Sequence, residues 1–506
     1  MSKSETGMIS GKRQPGEVLS SEVDIKSSPD LEVVARPVPG KTYFAGRRFH
    51  FIGAGGVGMS GLAKLLVGND AVLSGSDMQG SVVVDKLCEL GAEIKVGHSE
   101  RNIPADVESI VISAAIREDN PELQKALQAG VKVYKYAEML GKLMGNYRGI
   151  AISGTHGKST TSGWLTVCLE RLGLSANYLV GAEISQLGDS SGTGESDIFI
   201  AEACEYDRSF LNLHPWISCI LNIEADHLDY YRDEKEIAEA FGSFACNTRQ
   251  GGTLVINGCD ENAGRVLEKV VSTSNVNVVT FGIDEGCDLR AEDIRYEREM
   301  TIFDVIANTE NIGRASIQPG GEHNINNALA VTAMGIAAGV EPRAMVEVLG
   351  EFTGIDRRVM LKGIERGITV MDDYAHHPTE IRASLRAIRQ KYDPSRLWCV
   401  FQPHQYSRTR FLLDDFAQSF KLADVTIVPD IYFVRDSLES KKEINADILA
   451  GRIREQNSES VHIDGFGKIC DYLQENVKPG ELVVTMGAGD VWKVADEYIR
   501  RLRAES

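Results

Sequence analysis

The chain runs to 506 residues, 43% hydrophobic and 25% charged, a composition ordinary for a folded globular protein and a length that suggests about three domains. Its formal net charge of −19 argues against nucleic acid as a partner, and no apolar stretch is long enough to suggest membrane insertion. Nine cysteines with no C-x-x-C pair fit reduced thiols in a cytoplasmic protein better than a disulfide framework.

Residues 1–46 are rich in Ser, Lys, Glu and Pro and lack an apolar segment, so they read as a disordered extension rather than a signal peptide or a domain. Ordered sequence is expected from residue 47. A strand at 48–52 runs into Gly53-Ala54-Gly55-Gly56-Val57-Gly58, then a helix at 59–67 and a strand ending in Asp77. Further alternation of strand and helix to residue 148 argues a parallel sheet, and the glycine turn with a later acidic residue suits a nucleotide diphosphate.

A second domain is expected over 149–355. The strand at 149–153 leads into Gly154-Thr155-His156-Gly157-Lys158-Ser159-Thr160, followed by an apolar-periodic helix at 161–171. Glycines let this backbone wrap phosphates, Lys158 can neutralise their charge, and Ser159 or Thr160 can offer a hydroxyl to Mg²⁺, so the loop reads as an ATP site. The general pattern wants a glycine at position 152, where this chain has isoleucine. Strands at 198–202 and 217–222 end in Glu202-Ala203-Cys204-Glu205-Tyr206-Asp207 and Glu224-Ala225-Asp226-His227, bringing carboxylates and an imidazole to the ligand edge near Lys158. Residues 289–317 read as antiparallel strands, and Asn324 and Asn327 precede an apolar helix as caps or as amides reading a base.

The third domain, 356–506, returns to strands at 369–372, 397–401, 425–429 and 482–485. Two of them end in Asp372-Asp373-Tyr374-Ala375-His376-His377-Pro378 and Gln402-Pro403-His404-Gln405-Tyr406-Ser407-Arg408. The fold class is therefore α/β in three domains: a Rossmann-like first domain, a central P-loop ATPase-like domain, and a Rossmann-like third domain.

Taken in order, these stretches closely resemble the Mur ligase family, in its alanine-adding branch. The likeness covers nearly everything from Arg48 to Asp490 and rests on Gly53 to Ser60, Gly154 to Ser159, Asn222 to Asp229, Glu322-His323-Asn324 with Asn327, Asp372 to Pro378, and Phe401 to His404. The resemblance implies a cytoplasmic ATP- and Mg²⁺-dependent ligase, a monomer or homodimer, that joins L-alanine to UDP-N-acetylmuramate through an acyl phosphate. It implies that Gly53, Gly55, Gly56, Gly58, Met59, Ser60 and Asp77 meet the UDP-sugar. The loop from Gly154 to Thr160, with Asn324, Asn327, Arg358 and Asp372, would meet ATP. Ser159, Glu202 and His227 would hold metal, and Tyr374, His376, His404 and Arg408 would line the alanine region. Lys158, Glu202, His227, His376 and Arg408 are the expected catalytic set.

Four departures from the family pattern stand out. Ser159 replaces the usual threonine but keeps the hydroxyl, Gln405 replaces a frequent arginine, and Cys204 and Tyr206 alter the acidic motif. Phe241 to Asn247 offers no lysine for carbamylation, in keeping with the alanine-adding branch. The rival readings are a ligase that attaches a ready-made tripeptide to the same sugar, a nicotinamide oxidoreductase using Gly53 to Gly58 with Asp77, a zinc hydrolase using the paired histidines with Asp373, and a non-catalytic nucleotide binder.

Overall fold

In the computed structural model, which describes residues 39–504 apart from 228–229, 298–299, 435, 437–438 and 457–458, short apolar runs bounded by glycine and polar turns form three sheets. The first holds β1 (Arg48–Ile52), β2 (Val72–Asp77), β3 (Glu93–Val96), β4 (Ser109–Ile112) and β5 (Lys132–Lys135). All pair in parallel, in the order β3-β2-β1-β4-β5. The chain reverses direction across this sheet beside β1, so the glycine turn leaves at the topological switch point, where such sheets bind ligands.

The second sheet has ten strands: β6 (Arg148–Ser153), β7 (Asn177–Ile184), β8 (Asp189–Gly192), β9 (Ile198–Glu202), β10 (Ile217–Ile220), β11 (Thr253–Asn257), β12 (Asn277–Gly282), β13 (Leu289–Tyr296), β14 (Thr301–Ala307) and β15 (Glu310–Ile317). β6 lies between β9 and β10, parallel to both, and the three are buried almost throughout, which is why they read as continuous apolar runs. Their carboxyl ends deliver the phosphate loop and the two acidic motifs side by side. β13 to β15 form the expected antiparallel meander.

The third sheet comprises β16 (Met360–Glu365), β17 (Ile368–Asp373), β18 (Leu397–Phe401), β19 (Val425–Val428), β20 (Glu459–His462) and β21 (Leu482–Met486), ordered β16-β17-β21-β18-β19-β20. Only β16 runs antiparallel to its neighbour.

Most of the expected extension, residues 1–38, lies outside the described residues. Its last part departs from the expectation: Pro39–Phe44 is a short helix, and Phe44 is buried beside Phe49. The helix Val57–Gly68 fastens the first sheet to the second. A Cβ on Gly61 would come 2.4 Å from Leu179 Cδ1, and one on Gly68 would come 2.2 Å from Thr193 Cγ2. Lys64 pairs with Asp189 at 2.6 Å, and Tyr147 Oη donates to Asn69 at 2.5 Å. Between the second and third sheets the chain turns through Gly354, Arg357 and Val359, with φ of 116°, 60° and 48°.

Candidate active site

β6 ends at Ser153, and the loop that follows turns on Gly154 (φ 150°) and Gly157 (φ 85°) before the helix Lys158–Arg171 begins. Gly157 is required for space as well as conformation, since a Cβ there would sit 2.9 Å from Asn327 Oδ1. The loop is stitched to the segment after β10: Thr155 N donates to Asn222 O at 3.1 Å and His156 N to Asn222 Oδ1 at 2.8 Å. Lys158 Nζ donates to Gly154 O at 2.5 Å and Thr155 O at 3.1 Å, and it pairs with Glu205 at 2.9 Å. Burial disfavours its charge, but the carboxylates, Glu205 foremost, outweigh burial and raise its pKa above the ordinary lysine value. Ser159 and Thr160 lie half-buried in the first helical turn, where unpaired amides favour anions.

Glu202 closes β9 and accepts from Gly181 N at 2.5 Å. Glu205, only 4% exposed, lies 3.6 Å from His227 Nε2 as well as against Lys158. His227 adopts φ 55° and packs edge-on to Tyr206, with ring centroids 5.0 Å apart. Lys158, Glu205 and His227 therefore cluster beside the loop, with Glu202 near enough to add to the pull on the Lys158 charge.

A second group of charges spans the central and third domains. His156 lies 3.6 Å from Glu224 and 3.3 Å from Glu380; burial opposes its charge, yet these two carboxylates raise its pKa to about 9. Glu380 also accepts from His376 N at 3.0 Å and Arg358 Nη1 at 3.3 Å; burial works against its charge, but His376, His156 and Arg358 hold it well below the ordinary glutamate value. Thr379 Oγ1 donates to Glu224 at 2.6 Å, and Arg408 Nη2 donates to Asp226 at 2.9 Å. His377 Nε2 reaches Ala225 O at 3.3 Å. Four of these contacts, His156 with Glu380, Thr379 with Glu224, Arg408 with Asp226 and His377 with Ala225, join the segments after β6 and β10 to the third domain.

His156, Glu224 and His377 bring ligating atoms within 4.8 Å of one another. The hydrogen bonding argues against a metal there. His377 Nδ1 accepts from Thr379 N at 3.4 Å, so its proton sits on Nε2, facing Ala225 O, and neither ring nitrogen keeps a lone pair for a cation. His376 shows the opposite tautomer. Its Nδ1 faces Tyr374 O at 3.0 Å and must carry hydrogen, leaving Nε2 with the lone pair, while burial and Arg408 lower its pKa.

A cavity of about 500 Å³ opens between these groups, lined by His156, Gly157 and Thr160, by Asn324 and Asn327, and by Arg358, Asp373 and Glu380 from the third domain. Its size lies in the usual range for small-molecule sites. Asn324 and Asn327 are not helix caps: the helix Glu322–Ala337 starts earlier, behind Gly321, and Asn327 Nδ2 donates to Asn324 Oδ1 at 3.2 Å inside it. Asp372, expected at the nucleotide, does not line the cavity and instead accepts from Arg357 Nε at 3.0 Å and Thr485 Oγ1 at 2.6 Å. Its neighbour Asp373 lines the cavity instead, with burial lifting its carboxyl to about 6 against the pull of Arg358.

Tyr374 lies under the Arg357 and Arg358 guanidinium groups, 5.1 and 5.2 Å from the ring centroid. His404 stacks on Tyr432 and meets the His376 ring edge-on, 6.2 Å away. Gln405, at φ 72°, is buried, and its N donates to Tyr432 O at 3.1 Å.

In the first domain Gly53 takes φ 80°, and Gly55 N donates to Asp77 Oδ2 at 2.8 Å, so the acidic residue at the end of β2 braces the glycine turn. Gly56 precedes the helix as its N-cap, and a Cβ on Gly58 would meet the Tyr136 ring at 3.1 Å. Met59 and Ser60 are buried, and Ser60 Oγ donates to Val57 O within its own turn at 3.0 Å.

Glu380 and His323, which line the cavity, had no place among the site residues expected from the sequence, whereas Glu224 stood only within its acidic motif and Asp373 and His377 only in the zinc-hydrolase alternative. His377 followed by Pro378 and, three residues on, Glu380 does carry a helix-start signal, and His377 is indeed the N-cap of the helix Pro378–Tyr392.

Three family descriptions match the chain: Mur ligase family, catalytic domain, over 48–148; Mur ligase middle domain over 152–335; and Mur ligase, glutamate ligase domain, over 357–489. The chain is 42% identical over 455 residues to a UDP-N-acetylmuramate–L-alanine ligase of Clostridium botulinum, covering 90% of this chain and 97% of that one. It is 42% identical over 457 residues to the ligase of the same name from Acetivibrio thermocellus, covering 90% and 96%. Among solved structures, a UDP-N-acetylmuramate-alanine ligase from Thermotoga maritima superposes with a TM-score of 0.74 at 24% identity, covering 91% of this chain and all of that one. A murein peptide ligase from Psychrobacter arcticus gives 0.64 at 23% identity, covering 90% and 99%. With all three domain descriptions matched in order and relatives this similar over nine-tenths of its length, the chain belongs to the Mur ligase family.

Proposed function

We propose that this protein is the cytoplasmic ligase that uses ATP to join L-alanine to UDP-N-acetylmuramate. The observation that carries the reading is the phosphate loop opening into a cavity that two domains share, in a chain 42% identical to ligases named for that reaction. A carboxylate is a poor electrophile, so ATP first phosphorylates the sugar's lactyl carboxylate, and the amine of alanine then displaces phosphate. The loop amides and Lys158 hold the transferring phosphoryl group and offset the charge that builds as two anions meet. Ser159 and Glu202 offer the hard oxygen donors that suit Mg²⁺, with His227 beside them, and a bound cation there would neutralise phosphate charge.

Alanine's amine must lose a proton to attack. His376, with a lowered pKa and a free lone pair on Nε2, is suited to take it, next to Arg408 and Asp226. Asn324, Asn327, Arg358 and Asp373 surround the nucleotide in this reading. The glycine turn from Gly53 to Gly58, braced by Asp77, receives the UDP-sugar.

The test is phosphate release from ATP and Mg²⁺ with UDP-N-acetylmuramate, comparing L-alanine, the tripeptide L-Ala-D-Glu-diaminopimelate, and no amine. Release with L-alanine and an alanine adduct by mass spectrometry is the expected result. Release with the tripeptide alone would transfer the assignment to the recycling ligase, and release with neither would overturn the reading. Lys158→Ala should lower turnover by about two to three orders of magnitude, the usual cost of removing a group that stabilises transition-state charge.

A further inference from the structure

Cys259 follows β11 and Cys287 follows β12, neighbouring parallel strands, and their Sγ atoms lie 3.9 Å apart. Two glycines make room for the sulfurs. A Cβ on Gly282 would sit 2.3 Å from Cys259 Sγ and 3.0 Å from Cys287 Sγ, and one on Gly258 would sit 2.8 Å from Cys287 Sγ. The backbone on both sides is anchored: Cys259 N donates to Asn257 Oδ1 at 3.0 Å, and Asp288, beside Cys287, accepts from Thr280 N at 2.8 Å and Thr280 Oγ1 at 2.7 Å.

The two thiols differ in access. Cys259 is half-buried and lines the large cavity, whereas Cys287 is buried, and burial with Cys259 alongside pushes its thiol up to about 12. Cys259 also sits on a turn with mechanical reach. The next residue, Asp260, accepts from Ile223 N at 2.9 Å, and Ile223 leads directly into Glu224. A displacement of the turn would therefore pass to the segment that holds His156 and Thr379.

We propose that Cys259 and Cys287 form an oxidisable pair at the nucleotide cavity, which an oxidant of the hydroperoxide class converts to an intramolecular disulfide that weakens nucleotide binding. Cys259, the accessible thiol, attacks the peroxide as thiolate, giving a sulfenic acid and releasing water once the leaving hydroxide takes up the thiol's proton. Cys287 sulfur then attacks the sulfenic sulfur, an S–S bond forms, an S–O bond breaks, and hydroxide leaves with the Cys287 proton as a second water. Two thiols are oxidised and one peroxide is reduced. The sulfurs must close from 3.9 Å to roughly 2.05 Å, which draws the Cys259 turn toward β12. The effect on nucleotide rests on the functional reading above, but the thiol chemistry does not.

The experiment treats the full reduced chain with hydrogen peroxide, maps peptides without reductant, and measures affinity for AMP-PNP with Mg²⁺ by calorimetry. The expected result is a Cys259–Cys287 cross-link and about tenfold weaker binding, equal to about 1.4 kcal/mol, restored by dithiothreitol. Cys287→Ser should bind AMP-PNP like the reduced protein and form no cross-link with peroxide, its Cys259 halting at the sulfenic acid; Cys287→Ala serves the same purpose if the serine does not fold at this buried position. Oxidation elsewhere with this pair unlinked would overturn the proposal. A cross-link with unchanged affinity would overturn its nucleotide part. AMP-PNP failing to bind even the reduced chain would instead overturn the functional reading and leave the cross-link standing.

Discussion

His156 and Lys158 are two residues apart on one loop, yet they face different partners. Lys158 turns to Glu205 in the central domain, and His156 turns to Glu224 and to Glu380 in the third. The His156 charge therefore supports the fold, and with a determinable sign. Its pKa is raised to about 9, so its contribution, on the order of 3 kcal/mol, is fully present below about pH 6.5 and fades as pH rises through 9. Thermal melts between pH 6 and 10 should show this loss in the parent and a flatter profile in His156→Gln; parallel profiles would refute the assignment. The loop itself was legible in the sequence because its seven residues act through contiguous backbone and one lysine. Glu380 was not, because its importance comes from partners far away in the chain. Asp372 and Asp373 mark another limit: successive residues on a strand face opposite ways, so two adjacent carboxylates cannot be assigned to cavity or core until the sheet's neighbours are known.

Elements that ended in a recognisable motif were also the ones the sequence disclosed best. β6, β9 and β10 are apolar because both their faces are covered, and each runs straight into polar residues at the ligand edge. β8, by contrast, is Asp-Ser-Ser-Gly, with no strand pattern of its own; it exists because β7 supplies a pairing edge and Lys64 meets Asp189. The helix Val57–Gly68 has a second role hidden behind its glycines. Its first glycine, Gly58, reads as part of a phosphate turn, but Gly61 and Gly68 further along allow the helix to lie close against the central domain. Gly61→Leu should cost about 1–3 kcal/mol through overpacking against Leu179, visible as a lower melting temperature. An unchanged melt would mean that this face is not tightly packed.

Across the whole molecule the two domain junctions are built differently. The first is close-packed through glycine. The second depends on ions and hydrogen bonds, chiefly Arg408 with Asp226, Thr379 with Glu224, and His156 with Glu380. Arg408→Met strands a buried Asp226 carboxylate, a loss of about 3–5 kcal/mol for such a pair, and should increase the radius of gyration in small-angle scattering if the third domain swings free. An unchanged radius would show that the remaining contacts suffice. The linker between these domains also carries Arg357 and Val359 at positive φ, and a β-branched valine is strongly disfavoured there. Backbone strain of this kind costs of order 1–3 kcal/mol per residue, and movement of the third domain is one way to release it. The docked arrangement thus sets attractive contacts against local backbone strain at Arg357 and Val359. A ligand need supply only a few kcal/mol of preference to tip it, so substrate charge can govern domain position without any large rebuilding of the core.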